Sequence, residues 1–112
     1  MAIPSGSGTE VLKRSAKIGL NATNYDLITG VANHIYTIIS IIICEQSNSA
    51  TTFDLRIDDG TEYNLTQNVA IGARQTYVWN DKFVISGTDK LNIYTVGSNV
   101  DIHCSYIDQD FS

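Results

Sequence analysis

The chain has 112 residues, which is enough for one domain with a hydrophobic core of its own. Charged residues make up 17% of it, below the usual quarter, and uncharged polar residues take their place, which favours a β-rich protein over a helical one. The formal net charge of −5 argues against nucleic acid as a partner, because phosphates require a basic surface.

The N-terminal stretch MAIPSGSGTE lacks the basic region and apolar run of a signal peptide. We expect residues 1–12 to form an extended arm and residues 13–112 to form a single β-sandwich domain. Lys13, Arg14 and Lys17 make this end of the chain basic, whereas acids dominate the remainder. Two hypotheses follow: an ordinary solvated surface, or a basic segment that lies on an acidic body, including the body of a neighbouring subunit.

The most apolar stretch is HIYTIISIIICEQ, residues 34–46. It is too short for a membrane-spanning helix, which needs about 20 apolar residues. Its isoleucines leave no polar helix face and suit a strand, so we predict a strand over residues 34–45. The alternation assigns one side to the core, namely Ile35, Thr37, Ile39, Ile41 and Ile43. The opposite side is too apolar for water, and another segment or subunit is expected to cover it: Tyr36, Ile38, Ser40, Ile42 and Cys44.

The later strands show clearer alternation. Phe53, Leu55 and Ile57 are predicted to face inward, and Asp59-Gly60 indicates a hairpin. Further strands are predicted at EYNL and at residues 68–71, 75–79, 82–85, 91–95 and 100–107. The last of these should turn one set inward: Val100, Ile102, Cys104 and Tyr106. Strands that recur about every ten residues predict an all-β fold, an antiparallel β-sandwich or jelly-roll-like barrel of about eight strands.

The sequence offers no catalytic, cofactor or metal site. His103 alternates with Asp101 and Ser105, but side chains two apart on a strand stand roughly 6–7 Å apart, which favours a polar surface row over catalysis. Cys44 and Cys104 lack the close spacing of zinc ligands. They are expected to be small buried hydrophobes; a disulfide is the alternative and needs Cα atoms within about 7 Å. We therefore predict a protein that is not an enzyme.

Three aromatic residues, Tyr77, Trp79 and Phe83, flank a predicted turn. We expect a core cluster under a hairpin. A stacking platform for carbohydrate is the alternative, and it leaves a carbohydrate-binding module as a candidate function.

Residues 34–108 resemble the small β-sandwich virion proteins of tailed bacteriophages. The segments that carry the resemblance are, in chain order, HIYTIISIIICEQ, the turn SNSA, FDLRIDDGTEY, the connecting NVAIGARQTYVWNDKFVISGTDKLNIYT and the ending VDIHCSYIDQDF. Such domains occur as capsid decoration proteins and in tail or fibre parts. The resemblance marks an architecture, and the stretch IPSGSGTEVLKR departs from it.

The resemblance implies a virion location, on the capsid surface in preference to the tail, after synthesis in the host cytoplasm. The implied role is that of a capsid decoration, or cement, protein that bridges copies of the major capsid protein or other virion proteins. It is expected to form a homo-oligomer, with a trimer favoured. A tail, collar or fibre component is the alternative. Neither cofactor nor nucleic acid nor membrane is expected as a partner. The candidate interface residues are Lys13, Arg14, Lys17, Ile38, Ile42 and Phe111.

Overall fold

The computed structural model describes residues 9–97 and 99–112. These residues form ten strands and no helix, so none of the described chain is a helix that could cross a membrane. The strands are β1 (Thr9–Leu20), β2 (Asn24–Thr29), β3 (His34–Glu45), β4 (Thr51–Asp58), β5 (Glu62–Asn64), β6 (Val69–Ile71), β7 (Thr76–Trp79), β8 (Phe83–Ser86), β9 (Lys90–Thr95) and β10 (Val100–Asp110).

The strands build two antiparallel five-stranded sheets. Sheet A has the order β1-β10-β3, and β7 and β8 lie end to end along the far side of β3. Sheet B has the order β2-β9-β4, and β5 and β6 both pair with the far side of β4. The predicted antiparallel sandwich is confirmed, with ten strands in place of about eight.

The core lies between the sheets, where the predicted alternation of β4, β9 and β10 is confirmed. Phe53 and Leu55 of β4 and Ile102 and Cys104 of β10 belong to this layer, and all four are buried. Leu91 and Ile93 complete it from β9. Each buried aliphatic side chain of this size stabilises the fold by roughly 1.5–3 kcal/mol relative to an exposed one.

Strand β3 changes its inward face halfway along. Ser105 of β10 pairs with Ser40, but the next residue, Tyr106, pairs with Ile38, so Ile39 is the extra residue of a β-bulge. The prediction is therefore confirmed for Ile41 and Ile43, which are buried, and wrong for the first half of the strand. There the buried residues are Tyr36 and Ile38, and the half-buried ones are Ile35, Thr37 and Ile39.

Side chains hold the turns that the sequence predicts. The carboxylate of Glu45 accepts hydrogen bonds from the backbone N–H and the hydroxyl of Ser47, at 2.8 and 2.7 Å, and so fixes the turn after β3. At the β4–β5 hairpin, Gly60 has a φ of 106°, and its N–H donates to Asp58. Both turns are confirmed: the first leads from sheet A to sheet B, and the second joins the paired strands β4 and β5.

The sandwich begins earlier than the predicted boundary at residue 13. Residues 9–12 are already paired with β10 as part of β1, where Thr9 stands opposite Asp110. The rest of the predicted arm, residues 1–8, lies outside the described residues. The C-terminal tail is also part of the sheet, because β10 continues to Asp110 and the N–H of Phe111 donates to the carbonyl of Asn33.

Candidate assembly interface

The outer face of sheet A is the surface that turns away from the core. Cross-strand pairing arranges its side chains in rows, since directly paired residues lie on the same face. Two rows cross all the strands: Leu12, Ile107, Thr37 and Val84, and Ala16, His103, Ile42 and Val78. Four of these side chains are large, apolar and exposed, by 72% at Leu12, 41% at Ile42, 53% at Val78 and 57% at Val84.

A shallow groove of about 400 Å³ runs over the same face beside β1. Ile18, Ile42 and Cys44 line it with apolar atoms, and Asp101 and His103 border it. Ile18 is itself exposed. Ile42 is exposed in the single chain, so the expectation that another subunit covers this side of β3 stays a prediction there, and β1 extends the apolar surface sideways.

The three predicted basic residues lie on different faces of β1. Lys13 and Lys17 pair with inward residues of β10 and therefore point toward the open seam between the sheets. Lys13 donates to Asp108 at 2.8 Å, and Lys17 lies 5.6 Å from the centre of the Tyr25 ring, a cation–π contact. Arg14 pairs with Ser105 and is exposed on the outer face of sheet A. Only Arg14 of the three is thus placed on the apolar face.

Asp108 is the centre of a charged cluster that joins three strands. Its Oδ2 accepts a hydrogen bond from Lys13 of β1, and its Oδ1 lies 2.7 Å from Nδ1 of His34 on β3. Burial of Asp108 favours the neutral acid, but the hydrogen bonds from Lys13 and His34 outweigh it, so the pKa of Asp108 lies below its ordinary value. The same bond raises the pKa of Lys13. The cluster fastens β1 to the sheet, and it is a structural device that the sequence analysis missed.

Two of the predicted interface residues lie away from the open surface. Ile38 is 0% exposed, because the bulge at Ile39 turns it into the core. Its own chain therefore covers it, which is one of the two expectations for this side of β3, and the surface of the single chain does not present it. Phe111 is half-buried next to the end of β10, and its backbone N–H donates to the carbonyl of Asn33, so its place in an interface stays a prediction.

The two cysteines lie on opposite faces of sheet A. Cys104 faces the core, whereas Cys44 lines the outer groove, so they do not form a disulfide within one chain. The expectation of a small buried hydrophobe is confirmed for Cys104, and burial raises the pKa of its thiol to about 12. Cys44 is only half-buried.

The aromatic trio packs against the core, as expected. The rings of Tyr77 and Phe53 meet edge to face at 5.0 Å, and those of Trp79 and Phe83 at 6.2 Å. The indole N–H of Trp79 donates to the carbonyl of Asp81. These contacts favour the core-cluster reading of the sequence over a flat platform for carbohydrate.

The outer face of sheet B has the opposite character. Its cross-strand pairs are polar, with Asp26 beside Asn92 and Asp58 beside Lys90. Arg56 donates to Asp54 at 2.9 Å and lies 3.6 Å from Glu62. Among residues 9–97 and 99–112, no three His, Cys, Asp or Glu side chains lie close enough to hold a metal ion. The two outer faces are thus distinct, one apolar and one charged.

Comparison with known proteins shows a shared fold. No protein-family model and no curated protein sequence matches the chain. A chain of the disulfide-linked pili that form Bacillus endospore appendages is 14% identical, with a TM-score of 0.57, and the alignment covers 100% of this chain and 97% of that one. A capsid chain of Helicobacter pylori bacteriophage KHP30 is 10% identical, with a TM-score of 0.60 and coverage of 96% and 92%.

A chain of infectious bursal disease virus is 13% identical, with a TM-score of 0.55. The alignment covers 97% of this chain but 35% of the viral one, so this chain spans about a third of that protein. At such identities the likeness shows the fold alone. The chain therefore shares the β-sandwich fold of viral capsid chains and of these pili.

Proposed function

We propose that the chain is a structural virion protein, a capsid decoration or cement protein that forms a homo-oligomer and bridges coat subunits on the capsid surface. It acts by binding and not by catalysis, and it takes no cofactor. The observation that carries the proposal is the outer face of sheet A, where Leu12, Ile42, Val78 and Val84 are exposed in two rows. The polar row of Arg14, Ser105 and Ser40 lies between them. Ile42 and Val78 are directly paired, and exposed apolar surface bordered by polar residues marks a contact with another protein.

The charge distribution agrees with a protein partner. The net charge of −5 repels nucleic acid, while Arg14 is exposed within the apolar face and can pair with an acidic group of a coat subunit. A trimer is the proposed oligomer, because cyclic symmetry lets the copies share one covered face.

The experiment adds purified protein to emptied, expanded capsids of the virus whose genome carries this sequence. We expect the protein to cosediment with the capsids and to raise their melting temperature. I42E places a carboxylate in the apolar face and should weaken cosedimentation at least about tenfold, since each 1.4 kcal/mol is a factor of ten. V96E, at a similarly exposed position away from sheet A, is the matched control. Capsids that melt at the same temperature with and without protein would remove the decoration role.

The second candidate function is a tail, collar or fibre component. The observation that favours it is β1, a strand of 12 residues whose outer edge is unpaired among the described residues. Long unpaired edges accept a strand from another chain, which is how subunits are joined in line. Negative-stain imaging of virions labelled with an antibody against this chain separates the candidates, because label at the tail supports the second and label over the head supports the first.

A further inference from the structure

Among the described residues, both edges of sheet A are unpaired. On one side is β1, and on the other is the β7–β8 edge, formed by Thr76–Trp79 and Phe83–Ser86, which together follow β3 from Ile35 to Cys44. No described strand pairs with the outward side of either. The two edges have comparable length, so each presents a row of backbone donors and acceptors that the other could satisfy.

The strand directions allow the two edges to pair. Neighbouring strands are antiparallel throughout sheet A, from β1 to β10, β3 and then β7 and β8. β1 therefore runs opposite to β7 and β8. A second copy placed beside β1 in the same orientation brings its β7–β8 edge alongside β1 in an antiparallel arrangement.

The side chains at the two edges are matched as well. The two apolar rows of the outer face end at Leu12 and Ala16 on β1, and at Val84 and Val78 on the β7–β8 edge. Placing one copy after another continues each row, with Leu12 beside Val84 and Ala16 beside Val78 of the second copy. All four are exposed in the single chain, so the contact removes apolar surface from water at the seam.

Charge disfavours the alternative in which β1 pairs with β1. That arrangement brings together two copies of Lys13, Arg14 and Lys17, and like charges across strands are destabilising. The β7–β8 segment carries one acid and one base, Asp81 and Lys82, in a chain whose remaining body is acidic. The basic strand β1 is therefore better paired with the β7–β8 edge of a second copy than with the β1 of that copy.

We propose that β1 of one copy pairs antiparallel with the β7–β8 edge of a second copy, so that sheet A continues from copy to copy. This inference rests on the proposed role as an assembling subunit and names its contact. The two surfaces differ, so the contact is heterologous: it gives a ring when the rotation closes and a filament when it does not. In a ring with sheet A toward the axis, the apolar face is covered by the other copies.

Disulfide trapping tests the contact in a Cys44→Ser background, which removes the half-exposed native thiol. Directly opposite residues have Cβ atoms about 4.5–5.5 Å apart, within reach of a disulfide. L12C/V84C and A16C/V78C should each give, under mild oxidation, a reducible series of dimers, trimers and larger species or a closed ring. All four positions are exposed, so the variants should keep the far-UV circular dichroism of the parent.

Single variants make the test specific. L12C alone and V84C alone should stay monomeric on a non-reducing gel, whereas an equal mixture of the two should give dimers and nothing larger. V31C/V84C, which replaces the β1 position with an exposed valine between β2 and β3, is the matched control and should not give the series. Dimers from L12C alone would mean that β1 pairs with β1, and the inference would be overturned.

Parent protein that sediments as a monomer at its highest soluble concentration would also overturn the inference, as would failure of both double variants to cross-link. These outcomes are separate from the capsid experiment. Capsid binding without cross-linking removes only this contact, and cross-linking without capsid binding removes only the decoration role.

Discussion

Asp108 holds three strands of sheet A with one carboxylate, because Lys13, Asp108 and His34 come from β1, β10 and β3. The partners are 95 and 74 residues away in sequence, so no local pattern could have predicted the cluster. The pKa of Asp108 is lower in the folded than in the unfolded chain. The ionised group therefore stabilises the fold above its unfolded pKa of about 4, and this contribution is lost as the pH falls through the folded pKa.

Asp108→Asn should reduce the free energy of unfolding by about 1–3 kcal/mol at neutral pH, since two donors lose a charged acceptor. The difference from the parent should shrink once the pH is below the folded pKa. Urea unfolding curves recorded across the acid range measure this. Asp81→Asn, at an exposed aspartate, is the control and should follow the parent. A constant difference between Asp108→Asn and parent at every pH would show that the charge is not the cause.

The two cysteine thiols should differ in reactivity, because Cys104 faces the core and Cys44 lines the outer groove. The thiolate is the reactive form, and burial raises the pKa of Cys104 to about 12, so its thiolate is scarce at neutral pH. Cys44 lies at the half-open groove. Dilute native protein should therefore take up one equivalent of a thiol reagent quickly, and Cys44→Ser should abolish that phase. Two thiols reacting at the same fast rate in native protein would contradict the assignment of faces.

At the scale of elements, the strands with clean alternation could be predicted and the irregular ones could not. Leu91, Ile93 and the inward residues of β10 follow a period of two without interruption. In β3 both faces are rich in isoleucine, so the sequence has no contrast that would reveal the bulge at Ile39. β1 has exposed residues on both sides because it is an edge strand, and its mixed basic and apolar residues lack a buried face to recognise.

The bulge gives a matched pair of substitutions on one strand. Ile38 is fully buried and Ile42 is 41% exposed, although strict alternation along the sequence predicts the same side of β3 for both. Ile38→Ala should cost about 2–5 kcal/mol of unfolding free energy, because it leaves a cavity between the sheets. Ile42→Ala should stay within roughly 0.5 kcal/mol, as for other surface changes. Equal costs in chemical denaturation would place the bulge elsewhere.

At the scale of the whole molecule, β1 pairs with β10, and the described chain crosses several times from one sheet to the other. Such non-local pairing slows folding to the range of about milliseconds to seconds. The sequence has a single proline, Pro4, which precedes every described strand. Refolding followed by stopped-flow fluorescence should therefore lack a slow isomerisation phase of about 10–100 s. Such a phase, if shortened by a prolyl isomerase and unchanged in Pro4→Ala, would contradict this expectation.

The fold class followed from composition and strand spacing, but the open edges of sheet A did not. Which strands lie at an edge depends on the order β1-β10-β3, and that order joins segments from opposite ends of the sequence. The exposed valines of β7 and β8 looked like ordinary strand residues for the same reason. Their role as a candidate surface becomes visible only when Val78 and Val84 are placed in rows with Ile42 and Thr37.

The pairing of Thr9 with Asp110 brings the beginning and the end of the sandwich to one pole. A fluorescent tag or displayed peptide attached after Ser112 would leave from that pole. A short peptide bridge from Ser112 to Thr9, with the chain reopened at Asp59-Gly60, would give a circular permutant that keeps every described strand intact.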